Sequence, residues 1–202
     1  MLIFKKNIKP LYFIHIPRTG GRYIKDLFLN NNFLINFYKY EERFMGKEIP
    51  HLHYPFYNKF THFGKIPQFT IVRNPITRFI STFFASIKKD YLNVNVNEIF
   101  ESKNNFEKFI FQQFSEINYH TNWFLPQVNF INSSCKIWKF EDGFGINFFK
   151  WLKKNFKIEI KNNVFEYKEL HYDWYKKYKL PKKSTDLIKN FYKQDFKLFK
   201  YK

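Results

Sequence analysis

The stretch Leu11–Arg22, LYFIHIPRTGGR, decides how the rest of the chain is read. Leu11 to Ile16 is a short apolar run of β-forming residues, which reads as a buried strand that Pro17 ends. Arg18, Thr19, Gly20 and Gly21 then make a tight basic turn. Arg22 to Asn30 (RYIKDLFLN) has helical spacing, with Tyr23, Ile24, Leu27 and Phe28 on or near one face. Strand, glycine-rich turn, helix is the arrangement in which backbone N–H groups and the positive helix end point at an anion. The pattern GxxxxGK[ST] of ATP- and GTP-binding loops is absent. A Gly-Gly turn with an arginine on either side suits a compact 5′-phosphate or phosphosulfate better than a triphosphate. Taken alone, the segment leaves a second reading open, a purely structural β–α turn on a basic protein.

Composition sets the bounds. The chain has 202 residues, enough for a single domain spanning 1–202 with a substantial core. Its 45% hydrophobic and 23% aromatic content excludes a disordered, tail-like protein. The formal net charge of +18 has two readings. One is a field that attracts anionic cofactors or polyanions; the other is coding bias, since Lys, Asn, Phe, Ile and Tyr are all abundant. Arginine is scarce, yet Arg18, Arg22, Arg73 and Arg78 fall in two short loop–helix segments, where a planar fork is the better phosphate clamp. Cys135 is the only cysteine, so no intrachain disulfide forms and a reducing compartment is expected. MLIFKKNIKP lacks the apolar core of a signal peptide. No uncharged apolar run reaches about 18 residues. A soluble, cytoplasmic protein without a membrane span is the expectation.

Two further segments carry chemistry. In PHLHYPFY (Pro50–Tyr57), His51 and His53 alternate around Leu52, which puts both imidazoles on one side of an extended segment. With one Cys, no HExxH and no clear third ligand, no metal is expected. A general base and a pair of exposed loop histidines remain as readings. In IPQFTIVRNPITRFISTFFASIKK (Ile66–Lys89), Gln68 to Val72 reads as a second buried strand, Asn74 as an N-cap and Pro75 as the first helical residue. Ile76, Phe79, Ile80, Phe83, Phe84 and Ile87 form a core-facing stripe, with Thr77, Arg78, Ser81, Ala85 and Lys88 on the other side. Arg73 then stands at the strand's carboxyl end and Ser81 about two turns into the helix, a pair that could close on a second phosphate at the sheet edge.

FIHIPRTGGRYI together with FTIVRNPITRFISTFF resembles the sulfotransferases that use 3′-phosphoadenosine-5′-phosphosulfate (PAPS). The branch most similar is the membrane-type and bacterial carbohydrate group that includes heparan sulfate 2-O-sulfotransferase. There the first motif, commonly HIPKTGGTS, wraps the 5′-phosphosulfate. The second, commonly VRNPxxRxxSxY, binds the 3′-phosphate through its Arg and Ser, at the spacing of Arg73 and Ser81. YKQDFKLFKY (Tyr192–Tyr201) is similar to the family's closing YxxDFxLFxY, and WKFED (Trp138–Asp142) resembles the strand-to-helix segment before the penultimate helix. In order and spacing the resemblance covers nearly the whole chain.

The resemblance implies an α/β, P-loop-like three-layer fold with a central mostly parallel sheet flanked by helices. It implies sulfuryl transfer from PAPS to a hydroxyl, with a glycan as the default acceptor, 3′-phosphoadenosine-5′-phosphate (PAP) as product, and no metal. Donor contacts fall on Arg18, Thr19, Gly20, Gly21, Arg22, Tyr23, Arg73 and Ser81, with Arg78 as an addition. An HxH pair between the motifs makes His53 the candidate base and His51 a supporting or acceptor-binding residue; His62 and Glu41–Glu42 are reserves. Two departures stand out. The family's lysine beside the bridging oxygen is Arg18, which keeps the charge but cannot act as an acid. The usual Thr-Ser is Arg22-Tyr23, so a guanidinium and backbone N–H groups replace hydroxyl contacts to the 5′-phosphate, and similarity to the cytosolic branch, which has an aromatic at this place, implies Tyr23 against the adenine.

The remaining segments are less informative. Val94–Phe114 reads as helical, with Phe106, Phe109, Ile110 and Phe114 in a core. HTNWFLPQ (His120–Gln127) reads either as an acceptor-side segment or as packing for Trp123. His15 reads as a hydrogen-bonded structural residue. The Lys- and aromatic-rich Asn155–Lys183 reads as a solvated basic face or a polyanion surface. Two other functions stay in view: a small nucleotide kinase, and a non-catalytic basic protein binding RNA or glycans. No nucleic-acid partner is expected on the favoured reading.

Overall fold

The structure, a computed structural model, describes residues 1–39, 41–45, 47–54, 56–61, 66–88, 96–115, 122–161 and 182–202. Two compact units are present: Met1–Arg73 with Asn129–Tyr167, and Asn74–Val128 with Lys168–Lys202.

The first unit holds a five-stranded sheet in the order β3-β1-β2-β6-β7. Its strands are β1 (Leu2–Lys5), β2 (Ile8–Ile14), β3 (Leu34–Asn36), β6 (Gln68–Val72) and β7 (Lys136–Lys139); a separate small hairpin pairs β4 (Arg43–Phe44) with β5 (Lys47–Glu48). β2–β6 and β6–β7 are parallel, whereas β1 is antiparallel to both its neighbours, so β1 alone runs against the others. The strand expected at Leu11–Ile16 thus begins earlier and ends at Ile14. The difference arises because Leu2–Lys5 folds back on it as a hairpin, with Asn7 in the left-handed region (φ 65°) that a short Asn side chain tolerates. A register shift between Ile3 and Lys5 lets Pro10 sit inside the strand without a ladder bond.

Strand alternation sends Ile3, Leu11, Phe13, Ile35, Phe69 and Ile71 to one face. Two helices bury that face: α1 (Gly21–Asn30), through Tyr23, Ile24, Leu27 and Phe28, and α6 (Ile146–Phe156), through Phe148 and Leu152. On the opposite face Tyr12 meets Tyr57 of the short helix α2 (Phe56–Thr61) at 5.5 Å between ring centroids. Asn132 ties Tyr57 to Gln68 there. Helix, sheet and helix form the three layers, in agreement with the α/β sulfotransferase-type fold expected from the motifs.

The second unit is helical: α3 (Pro75–Lys88), α4 (Val96–Glu101), α5 (Lys103–Ser115), α7 (Lys182–Phe191) and α8 (Lys193–Phe199). Asn74 caps α3, its Oδ1 accepting from the Ile76 N–H at 3.0 Å and the Thr77 N–H at 3.4 Å. The burial of α3 corrects the expected face. Phe79 and Phe83 are buried, but so are Arg78, Ser81, Thr82 and Ala85, while Ile76, Ile80 and Phe84 are only half-buried. Burial of Arg78 is tolerated because its fork is hydrogen-bonded: Nη2 donates to the Trp123 carbonyl (2.8 Å) and Nη1 to that of Leu125 (3.0 Å). Phe106 and Phe109 join the core as expected, while the side chains of Ile87, Lys88, Ile110 and Phe114 fall outside the described residues.

The closing motif grips the same segment. The Tyr192 hydroxyl donates to the Phe124 carbonyl (2.6 Å), and the Asp195 carboxylate accepts from the backbone N–H groups of Gln127 and Val128, each at 2.9 Å. Trp123 and Phe124 are buried, so this stretch is packing rather than an acceptor surface; His120 lies outside the described residues. Asp195→Ala strands two backbone donors. Thermal denaturation should show a loss of about 2–5 kcal/mol, with Asp195→Asn falling between that variant and the wild type. Among the described residues no helix is long and apolar enough to cross a membrane.

Candidate active site

At the carboxyl end of β2 the chain turns through His15–Gly20 into α1. Arg18 takes a left-handed conformation (φ 67°) and Gly20, the residue before the helix, has φ 96°. The Thr19 hydroxyl donates to the Ile16 carbonyl at 2.8 Å, so this buried side chain shapes the turn from within. Gly20 carries no side chain that could cap α1, and the first N–H groups of a helix lie outside its ladder, so the turn ends in donors and a positive dipole. Arg22 is exposed beside them. This is a cradle suited to a phosphate-sized anion.

Gly21 is required by what lies under it. A Cβ there would sit 1.8 Å from His15 Nε2. Gly21→Ala must therefore displace the imidazole or the helix start. An overpacking loss of about 1–3 kcal/mol in thermal stability is expected, together with weaker anion binding.

Arg73 follows β6 and closes the turn from the neighbouring strand. It is 4% exposed, its guanidinium stacks over the Phe140 ring at 4.5 Å, and its Nη1 donates to the Arg18 carbonyl at 3.3 Å. The Arg73 guanidinium thus reaches the backbone of the first motif's turn at one sheet edge. Phe140 comes from WKFED, whose strand, β7, leads through a 3₁₀ turn (Phe140–Asp142) towards α6.

Two expected donor contacts are corrected. Tyr23 is not presented to an adenine: it is 5% exposed, stacked on Phe144 at 4.6 Å, with its hydroxyl donating to the Phe144 carbonyl at 3.1 Å. Arg78, a candidate for the 3′-phosphate, is 1% exposed with its fork bonded to two carbonyls. Ser81 is likewise buried, in the second unit.

The histidine pair divides. His51, in a 3₁₀ turn after β5, is buried, and its Nδ1 lies 2.5 Å from Glu48 Oε2. Its ring meets His15 edge-on at 4.5 Å. Burial, reinforced by His51 and by Arg22 and Arg18, keeps the His15 imidazole well below its ordinary value and therefore neutral. His53 is half-buried between Phe56 and Phe130, and its Nδ1 has no hydrogen-bond partner among the described residues. Burial first, and then Lys47, pushes it down to about 4. Glu41 and Glu42 are exposed ahead of β4, and His62 lies outside the described residues, as does most of the basic 155–183 segment. Among the described residues no group of three or more His, Cys, Asp or Glu could hold a metal ion. Sequence reasoning missed Glu48 and Phe144, whose parts depend on contacts that no local pattern announces.

The model of the sulfotransferase family matches residues 2–202. The chain belongs to the sulfotransferase family. No curated protein and no solved structure matches it.

Proposed function

We propose that the protein transfers the sulfuryl group of PAPS to a hydroxyl of an acceptor, with a carbohydrate as the acceptor class. The observation that supports this reading is the bond from Arg73 to the Arg18 carbonyl, which ties the strand-end arginine of the second motif to the glycine turn of the first. The cradle at Gly20–Gly21, with an imidazole filling the space below it, fits the 5′ end of such a donor. The donor, when bound, supplies the sulfuryl group and a phosphate leaving group. The Arg18–Arg22 turn holds the 5′-phosphosulfate, and Arg73 holds the 3′-phosphate.

His53 takes the acceptor's proton as the new O–S bond forms and the S–O bond to the 5′-phosphate breaks. It is half-buried and neutral above its lowered pKa, so the ring can accept a proton, while its Nδ1 is buried without a hydrogen-bond partner among the described residues. Arg18 offsets the charge that grows on the departing phosphate without giving up a proton. PAP leaves as product. Fixed cations and backbone donors supply the charge stabilisation that this reading needs.

Thermal shift with PAP, AMP and ATP plus magnesium side by side tests the reading. Selective stabilisation by PAP supports it; a preference for ATP with magnesium indicates a kinase. Binding of RNA or polyanionic glycan that weakens steeply with salt, without nucleotide preference, indicates a non-catalytic polyanion binder.

A further inference from the structure

Beneath the glycine turn runs a file of side chains that ends on Gly21. Glu48, at the end of β5, is 8% exposed, and one carboxylate oxygen lies 2.5 Å from His51 Nδ1. The other lies 3.9 Å from Arg43 Nη2 across the β4–β5 hairpin. His51 meets His15 edge-on, and the Nε2 edge of His15 fills the space where a Cβ of Gly21 would be. Carboxylate, imidazole, imidazole and the first residue of α1 are therefore in sequential contact, from an outlying hairpin to the floor of the turn.

We propose that Glu48 is a positioning residue for the donor-binding turn, acting through His51 and His15 on Gly21. The physical argument is one of fixed orientation. A carboxylate at Nδ1 holds the proton on that nitrogen and sets both the tautomer and the ring plane of His51. The edge-on packing then transfers that plane to His15, whose ring has no polar work as a cation because burial keeps it neutral. Gly21 rests on the ring with no side chain of its own to fix it, so the direction of the first helical N–H groups depends on where His15 stands. A loop with a left-handed arginine and two glycines gains most from such a brace, since its own backbone restricts it least.

The inference rests on the sulfotransferase reading only for its consequence, donor affinity; the brace itself is measurable without donor. Two variants are needed, Glu48→Ala and the isosteric Glu48→Gln, which keeps an acceptor oxygen but not the charge. Native-state hydrogen exchange on the free proteins reads the backbone amides of Gly20–Ile24 against those of α6. The expected result is exchange about tenfold or more faster at Gly20–Ile24 in Glu48→Ala, with α6 unchanged and Glu48→Gln intermediate. PAP titration of the same proteins should give a Kd raised about tenfold in Glu48→Ala, partly recovered in Glu48→Gln. If Glu48→Ala unfolds outright, Glu48→Gln decides on the same amides. Exchange at Gly20–Ile24 equal to wild type in the folded variants overturns the inference, as does tighter PAP binding, which would make Glu48 a mere counter-charge. Faster local exchange in a protein whose wild type ignores PAP leaves the brace standing and removes the sulfotransferase reading instead.

Discussion

His53→Ala is expected to lower turnover by about 10²–10⁴-fold while leaving PAP affinity within about twofold of wild type, the range for loss of a positioned general base. The comparison needs single-turnover kinetics on a sugar acceptor beside a nucleotide titration, because an unfolded or donor-blind variant would lose both readouts together. The pH profile supplies the sign. A protonated imidazole cannot accept the acceptor's proton, and His53 is held down to about 4 by burial and Lys47. Activity should therefore persist as the pH falls past the ordinary histidine value of 6.5 and decline only on approach to that lower value. Full turnover in His53→Ala would transfer the role to Glu41, Glu42 or His62.

Arg73→Ala should weaken PAP binding by about 2–5 kcal/mol, roughly 30-fold to several thousand-fold, as for removal of one member of a desolvated charge pair. The size follows from placement. Arg73 is 4% exposed, so its fork is already largely stripped of water and oriented by Phe140. The same substitution also deletes the donor to the Arg18 carbonyl, so the turn loses an anchor along with a charge. Arg73→Lys separates the two effects: it restores the cation as a compact point charge but not the planar fork. Affinity midway between wild type and alanine is the expected outcome, and an alanine variant that binds PAP like wild type would remove Arg73 from the donor site.

What the sequence disclosed, it disclosed through local rules. Gln68–Val72 is a strand at the expected residues, because an apolar run bounded by Pro67 and the Asn74–Pro75 cap leaves little alternative. The buried face of α1 follows its helical spacing, and WKFED is the expected strand running into a turn. The failures share a cause. β1 went unread because LIFKKNIKP looks like a basic lead-in until it pairs with the strand behind it. The polar side of α3 was read as outward because Arg and Ser usually face water. Carbonyl groups offered by Trp123 and Leu125, over forty residues away in sequence, reverse that for Arg78. Tyr23 was assigned to an adenine by position in the motif, whereas Phe144 occupies its ring. Arg18 and Arg73 were legible as neighbours because their motifs end adjacent parallel strands; the props beneath the turn were not, since any well-shaped contact can serve.

The clasp on Trp123–Val128 has a practical corollary for anyone shortening this protein. Arg78 reaches that segment from a helix early in the second unit, while Tyr192 reaches it from the joint between the last two helices and Asp195 from the last helix. A tail cut before Tyr192 would strip the latter pair at once and leave Arg78 and the packing of Phe124 on Phe79 and Phe109 to hold the segment, so proteolytic trimming there should expose the buried indole of Trp123 to quenchers. Stable minimal versions would have to keep the polypeptide through Phe199, which is itself buried.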